Sequence, residues 1–556
     1  MTADGNIDPT TLAVIRGALE QIADEMDTAL STSAISPVIS DAWDRASGIY
    51  HPHTGEVIVQ GRTGVPIFII VMQHSVQEVL KDFPPESMAP GDVFIVNDPY
   101  WGGTHTPDIK FVHPFFRDGK LKALLANSGH WPDVGGITFG GFTTTATDIY
   151  QEGFRLPPVK IYDQGVYNKT LAEVVFYNMC VSDDRRGDMV AQLNSLEMGA
   201  QCLNEFFDRF DDDTIFACID ELKNRSELLM REYIAAIPNG TYEFCDYMDS
   251  DGVDEGRLKI DVKMIVDGSN ITFDLSGSSP ECRGPFNSPY SNTVTGTMIA
   301  VKHVFWDVPI NSGCFEPFDW IIPEGTMLNP RPPRSVSGCS TETCCRIVST
   351  VLGAFAQALP GRVPADYFTT GSNVCLGGTS PNYGEYASLL LFGGGLGANP
   401  DGDGLNNGNP AVGGARNGSI EITEQTVPFL FTKYALREGS GGNGEYRGGL
   451  GVETPLHIRE GESYLTFLGD RAHSGPYGLE GGGSRATSDH EFHIDGRYFQ
   501  APHKSKIDNL YLKPGDGVVV RTSGGGGYGD PAKRSEKARA TDMRRGYLGH
   551  AAGAAN

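Results

Sequence analysis

The chain has 556 residues, more than one hydrophobic core normally serves, so about three or four domains or subdomains are expected. Its net charge of −26 repels a polyanion and argues against a nucleic-acid partner; 39% hydrophobic residues without an apolar run of about 18 argue against a membrane span. The start, MTADGNIDPTT, carries no basic and then apolar leader, and the ten cysteines form no CxxC pair, so a reducing, cytoplasmic setting is expected.

The first expected element is a helix with Asp8 as N-cap and Pro9 at its first position, its apolar stripe running through Ile15, Leu19, Ile22, Met26 and Leu30. Short strands follow over Ala46 to Tyr50 and Glu56 to Gln60, joined by His51-Pro52-His53-Thr54-Gly55, which reads as a turn rather than a metal pair. Val93 to Val96 is a buried strand that ends where Asn97-Asp98-Pro99 forces a turn. The loop beyond it carries His105 and Asp108, spaced H-x-x-D with Pro107 between them, and SGHWPDVGG brings His130. Two His and one carboxylate leave coordination positions open, as a catalytic Zn, Mn or Fe site requires, with Zn or Mn preferred. The competing reading makes His105 a turn cap and His130 a satisfied core histidine. His113, in the mostly apolar run Ile109 to Phe116, reads as a half-buried strand residue.

Asn168 to Ile237 is largely helical. LKIDVKMIV (Leu258 to Val266), the Asp267-Gly268 turn and Ile271 to Leu275 form a hairpin signature, and a helix is expected from Thr343 to Leu359 with T-E-T as its cap. The segment 391–420 is too rich in Gly and Asn for a helix or core strand; it is a flexible linker or an ordered loop over an active site. Short β runs and Gly-rich turns continue to Pro531, and Lys533 to Arg545 form a basic tail, a solvated helix or a docking element. No Lys-Ser/Thr follows GGGGYGDP and no dinucleotide fingerprint occurs, so no ATP site is assigned. The expected fold is α+β and multi-domain. It has an N-terminal helix and metal-site domain over 1–165, a helical segment over 166–236, an α+β domain over 237–390, and a Gly-rich β lobe with a basic tail over 391–556.

NDPYWGGTHTPD at Asn97 to Asp108, the later H-x-x-D-x-GG, NSGCFEPFDWIIPEGTMLNP, GGNGEYRGGLG, DRAHSGPYGLEGG and TSGGGGYGDP resemble, in order, the hydantoinase B/oxoprolinase family. The resemblance implies that His105, Asp108 and His130 hold a divalent metal and that Asp44, in SPVISDAWDRASGIY, is an additional ligand or base. The alternative for Asp44 is an ion pair with Arg45 or a bond to a backbone amide. Asp133 is expected to hydrogen-bond a ligating imidazole. The family usually shows two adjacent His where this chain has His130 followed by Trp131, which puts a second metal ion or a His acid/base there in question. The resemblance further implies a separate A-type subunit carrying ATP and Mg, a hetero-oligomer, and Gly-rich surfaces serving as interface and tunnel walls; it favours the ordered loop for 391–420. The implied reaction is ATP-dependent hydrolysis of a cyclic amide, with ketone carboxylation or a non-catalytic scaffold as alternatives. Tyr100, Trp101, Trp131 and Phe139 are the aromatic residues expected near an apolar substrate ring in either enzyme class.

Overall fold

The computed structural model describes residues 7–409 and 413–548; residues 1–6, residues 410–412 of the Gly-rich segment and residues 549–556 lie outside them. Among the described residues no helix is long and apolar enough to cross a membrane.

Helix α1 (Pro9–Ser33) starts as its sequence dictates, with the Asp8 carboxylate accepting the Thr11 amide at 2.9 Å. Next come β1 (Arg45–Tyr50), β2 (Val57–Gln60), α2 (Phe68–Asp82), β3 (Val93–Val96), β4 (Asp108–Arg117), β5 (Lys120–His130), β6 (Val159–Asp163) and β7 (Val166–Tyr167). The strands form one sheet in the order β2-β1-β5-β4-β3-β6-β7, every neighbour antiparallel. Both faces are covered, so β1 is buried along its whole length and β3 reads as a continuous apolar run; Ile95 packs with α1 on one side while Phe94 and Val96 pack with α2 on the other.

The expected helical stretch is α3 (Lys169–Tyr177), α4 (Ser182–Arg209) and α5 (Asp212–Ala235). Val175, Leu196, Leu203 and Phe206 on these helices join α1 and the first sheet in one hydrophobic cluster, so no break in the core falls at residue 165. Met230 and Ile234 at the far end of α5 belong to the next core. That core holds a sheet of β8 (Gly240–Met248), β9 (Leu258–Asp267), β10 (Asn270–Asp274) and β11 (Phe318–Ile321) with α6 (Tyr290–Val304) and α7 (Cys344–Ala358).

The start of α7 differs from expectation. Thr343 does not cap it, because its hydroxyl donates to the Phe286 carbonyl at 2.7 Å; the chain enters through a π-helical turn over Cys339–Thr343. Beneath α7 lies a buried charge network. Arg346 reaches Asp246 at 2.9 Å and Asp470 at 2.7 Å, Arg471 pairs with Asp246 and Asp366, and Lys506 meets Asp470 at 3.0 Å.

Strand β13 (Gly384–Leu391) pairs with β12 (Asn373–Ser380), which pairs with Glu462–Leu468, itself paired with Lys506–Leu512, so the C-terminal lobe begins upstream of residue 391. Its Gly-rich segments lie side by side in the interior, joined backbone to backbone: Gly449 N to Leu396 O at 2.8 Å, Gly525 N to Gly449 O at 2.9 Å and Gly442 N to Gly525 O at 2.8 Å. A Cβ on Gly449 would come within 1.9 Å of the Leu405 carbonyl oxygen, so neighbouring backbone occupies the space side chains would need. These glycines pack against one another within the lobe. The basic tail contains α8 (Glu536–Arg544), mostly exposed, and Arg534 just ahead of it pairs with Asp403 and Asp542.

Candidate metal centre

Strand pairing brings three donor groups together. Asp108 opens β4 and His130 closes β5, and the antiparallel register sets them opposite each other. His105 stands on the turn before β4. Its Nε2 lies 3.0 Å from Asp108 Oδ1, and His130 Nδ1 lies 3.3 Å from the same oxygen. One donor atom from each of the three buried residues falls within 4.8 Å of the others. Asp44 arrives from the next strand: Arg45 pairs with Gly129 across β1 and β5, so the Asp44 carbonyl accepts the His130 amide at 3.1 Å and its carboxylate lies 3.9 Å from His130 Nδ1.

The loop is braced from outside the sheet. Asn97 accepts the Leu156 amide at 2.6 Å and donates to the Thr106 carbonyl at 2.7 Å. Gly102 sits at φ +76°, and a Cβ there would meet the backbone of His74 at 2.6 Å. Thr104 donates its hydroxyl to the second oxygen of Asp108. His105 Nδ1 faces the Ser337 carbonyl and the Ser340 hydroxyl, each at 3.4 Å. Glu152 anchors the segment bearing Ser337 by accepting the Val336 amide at 2.6 Å, the Ser337 amide at 2.8 Å and the Ser335 hydroxyl. Phe142 stacks on His130 at 5.9 Å and meets His105 edge-on at 5.0 Å. The threonines after it are tied to the C-terminal lobe: Asp508 accepts the hydroxyls of Thr143, Thr144 and Thr145 at 2.6, 2.9 and 2.7 Å and the amides of Thr144 and Thr145 at 2.8 and 3.0 Å.

Burial raises the affinity of the Asp108 carboxylate for a proton, but the adjoining His105, helped by the His130 hydrogen bond, outweighs it and holds the group well below the usual carboxylate range. Burial pushes Asp44 up to about 6, with His130 opposing and Asp108 adding to the rise. The cations nearby are otherwise engaged: Arg45 pairs with Asp27 at 3.3 Å, and Lys110 donates to the Asp108 backbone carbonyl at 3.0 Å. Among the described residues His130 Nε2 has no partner. This buried set of two imidazoles and a carboxylate fits a divalent transition metal better than Mg or Ca.

A mainly apolar cavity opens on this corner. Asp44, His105 and Asp108 form one end, and Val65, Ile67, Phe68, Phe142, Leu389 and Leu391 form most of the wall. His105, Asp108, His130 and Asp44 are thus brought together as expected from sequence, and the ion pair of Asp44 with Arg45 is excluded by Arg45's pairing with Asp27. Asp133 is placed differently. Its oxygens accept the Gly135 amide at 3.1 Å and the Val181 amide at 2.7 Å, so it fastens a loop to the start of α4 rather than orienting an imidazole. The four expected aromatics do not line the cavity: Tyr100 donates to the Arg334 carbonyl, Trp101 packs against the core, Trp131 stacks on Phe176, and Phe139 stacks on Tyr464. Sequence reasoning missed Phe142, Glu152, Ser337, Ser340 and Asp508; the block GGFTTT at Gly140 to Thr145 was the signal available for the first. Gly413 and Ala415 reach the wall, so the end of the 391–420 segment is an ordered part of the site.

Residues 8–531 match the family model described as Hydantoinase B/oxoprolinase. An uncharacterized protein of Methanocaldococcus jannaschii is 33% identical over 531 residues, spanning 95% of this chain and 92% of its own length. The caprolactamase subunit beta of Pseudomonas jessenii is 31% identical over 552 residues, spanning 98% of this chain and 94% of its own. The crystal structure of the ATP-dependent caprolactamase from Pseudomonas jessenii has the same fold, with a TM-score of 0.91 at 29% identity over 98% of this chain and 95% of that one.

Proposed function

The chain belongs to the hydantoinase B/oxoprolinase family, and from that premise we propose that it is the metal-holding subunit of an ATP-dependent cyclic-amide hydrolase. It works in a cytoplasmic hetero-oligomer with an A-type subunit that carries ATP and Mg. The observation that supports this best is the pairing of Asp108 with His130 across β4 and β5, with His105 and Asp44 beside them at the end of an apolar cavity.

His105, Asp108 and His130 would hold one Zn or Mn ion, which when bound supplies Lewis-acid polarisation of an amide carbonyl. An unactivated amide is a poor electrophile, and phosphorylation of its carbonyl oxygen by the A-type subunit removes that obstacle. Water then adds at the carbonyl carbon, its proton passing to Asp44 and on to the ring nitrogen as the C–N bond breaks; the acyl phosphate so formed takes up a second water and gives inorganic phosphate and the ring-opened amino acid. The Ser337 carbonyl and Ser340 hydroxyl orient the His105 ring. Phe142 and the aliphatic wall keep bulk water from the reacting carbon.

Assay of the reconstituted two-subunit complex with and without bicarbonate tests the reading. An amino acid formed from a lactam without bicarbonate, with ATP turnover only in the complex, is the expected result. Strict bicarbonate dependence with a β-keto acid product makes the chain a ketone carboxylase subunit, and no activity on either substrate class makes it a scaffold. ATP turnover by the lone chain overturns the division of labour.

A further inference from the structure

In a chain of net charge −26, six of the eight charged residues from Lys533 to Arg545 are basic. Helix α8 does not simply carry them into solvent: it lies over a polar cavity that is completed by Asp403, Asn406 and Arg447 from the Gly-rich interior of the lobe. Lys537, Thr541 and Arg545 recur four residues apart, so they stand one above another on the face of the helix that lines this space.

Four cations line the cavity and two carboxylates oppose them. Arg534 takes up both carboxylates, with two bonds of 2.8 Å to Asp403 and contacts of 2.9 and 2.8 Å to Asp542. Arg447 is only 7% exposed, yet its share of that charge is a single 3.4 Å contact from Nε to the second oxygen of Asp542. Its Nη1 donates to the Gly448 carbonyl and the Asn406 side chain, and its Nη2 has no hydrogen-bond partner among the described residues. Lys537 and Arg545 form no ion pair among the described residues, and the Arg447 and Arg545 guanidiniums stand over one ring, that of Tyr547, at 4.9 and 5.9 Å from its centre. Two positive charges are therefore left over. A guanidinium taken out of water and only half matched is costly, and further cations gathered beside it add to the cost. Beneath α7, by contrast, every buried cation is held by a carboxylate at 3.0 Å or less.

We propose that this cavity binds a phosphate group. A dianion cancels the whole surplus, whereas a carboxylate would cancel half of it. The donors also sit on two separate segments, Arg447 on the Gly-rich interior and Lys537, Arg545 and Ser535 on the helix side, so one small group with acceptors on several sides serves them all. Ser535 fits this role because its oxygen already accepts the Ala538 amide at 3.2 Å, which leaves its hydroxyl proton to donate. Once bound, the phosphate fastens α8 to the interior of the lobe.

Calorimetric titration of the full chain with inorganic phosphate, at constant ionic strength in chloride and about pH 7.5 where phosphate is mainly a dianion, is expected to give a dissociation constant below about 1 mM. Lys537→Gln combined with Arg545→Gln is expected to weaken binding at least about tenfold. Both side chains are exposed, so the fold is kept, as the melting temperature in chloride will show. Lys533→Gln combined with Arg544→Gln removes the same charge from the same tail but outside the lining, and is expected to leave the affinity within about twofold of wild type. Phosphate held at the metal centre is common to all three proteins and cannot produce that difference. Glycerol 3-phosphate separates the sources: tighter binding than inorganic phosphate assigns the site to a phosphorylated small molecule, and weaker binding assigns it to the free ion. The phosphate site is overturned by the absence of saturable binding, by acetate binding as tightly as phosphate, by full affinity in the Lys537 and Arg545 variant, or by equal losses in the two double variants, which would mean long-range attraction to the tail. None of these outcomes bears on the cyclic-amide reading.

Discussion

Beneath α7, Asp366 and Asp470 are buried and Asp246 is partly so among Arg346, Arg471 and Lys506, whereas at the ends of β4 and β5 Asp108 is buried with two imidazoles and Asp44 stands partly buried beside them. The first group neutralises itself. Each guanidinium there spans two carboxylates, and Asp246 is held down to about 2 against its burial by Arg471 and Arg346. In the second group the nearest basic residues face away, toward Asp27 and toward a backbone carbonyl, and the donors converge on one another. Buried charge that is fully matched joins α7, β8 and the C-terminal lobe; buried donors matched only by each other make a site for a cation.

The sharpest way to break that distinction is Asp108→Asn, which removes charge and leaves volume nearly unchanged. Turnover by the assembled enzyme should be abolished and metal content by elemental analysis should fall below about half an equivalent, with the melting temperature little altered. Full activity in this variant would place Asp108 with the structural carboxylates. Arg346→Met is the converse experiment. It leaves Asp470 and Asp246 short of a partner and should cost about 3–5 kcal/mol of stability, read from denaturant unfolding, while metal content stays at the wild-type level.

A pH series sharpens the comparison from another side. Burial, with the Asp470 charge adding to it, pushes the Glu342 carboxyl up to about 8, far above the ordinary 4.5. The folded protein therefore holds a proton that the unfolded chain releases. Its stabilising contribution is complete below about 4.5 and is lost as pH rises through about 8. The melting temperature should fall over that interval, and Glu342→Gln should flatten the fall; identical slopes for the two proteins would show that the proton is not held. The smallest effect is expected from Ser340→Ala, which removes one contact to His105 and should weaken metal binding about tenfold in a chelator competition, with no change in melting temperature.

The donor set was legible because its geometry is local. His105 and Asp108 are three residues apart, and His130 is delivered by a hairpin whose strands show in the apolar pattern. The partners of His105 were not, since Ser337 and Ser340 lie more than 230 residues further along, and Asp133 was read in their place on proximity alone. The cavity wall was misread for the same reason: aromatic residues near the motif were favoured over Leu389 and Leu391, which only the strand pairing of the C-terminal lobe brings there. Composition excluded helix and ordinary strand for the Gly-rich runs but could not reveal their burial. A glycine carries no side chain, so a packed interior of backbone leaves no hydrophobic period behind.

The clasp between Asp508 and the three threonines after Phe142 has a bearing on how the protein is made. Its two halves are separated by 365 residues for Thr143, so a chain emerging from the ribosome carries both imidazoles and Asp108 long before the carboxylate that fixes the Phe142 loop exists. At about 5–20 residues per second, that interval lasts tens of seconds. For that time the apolar face destined for the cavity is open to chaperones and to other nascent chains. Closure of the pocket is therefore one of the last events of folding, and a truncation ahead of Asp508 should yield a protein whose N-terminal sheet is formed but whose site is never sealed.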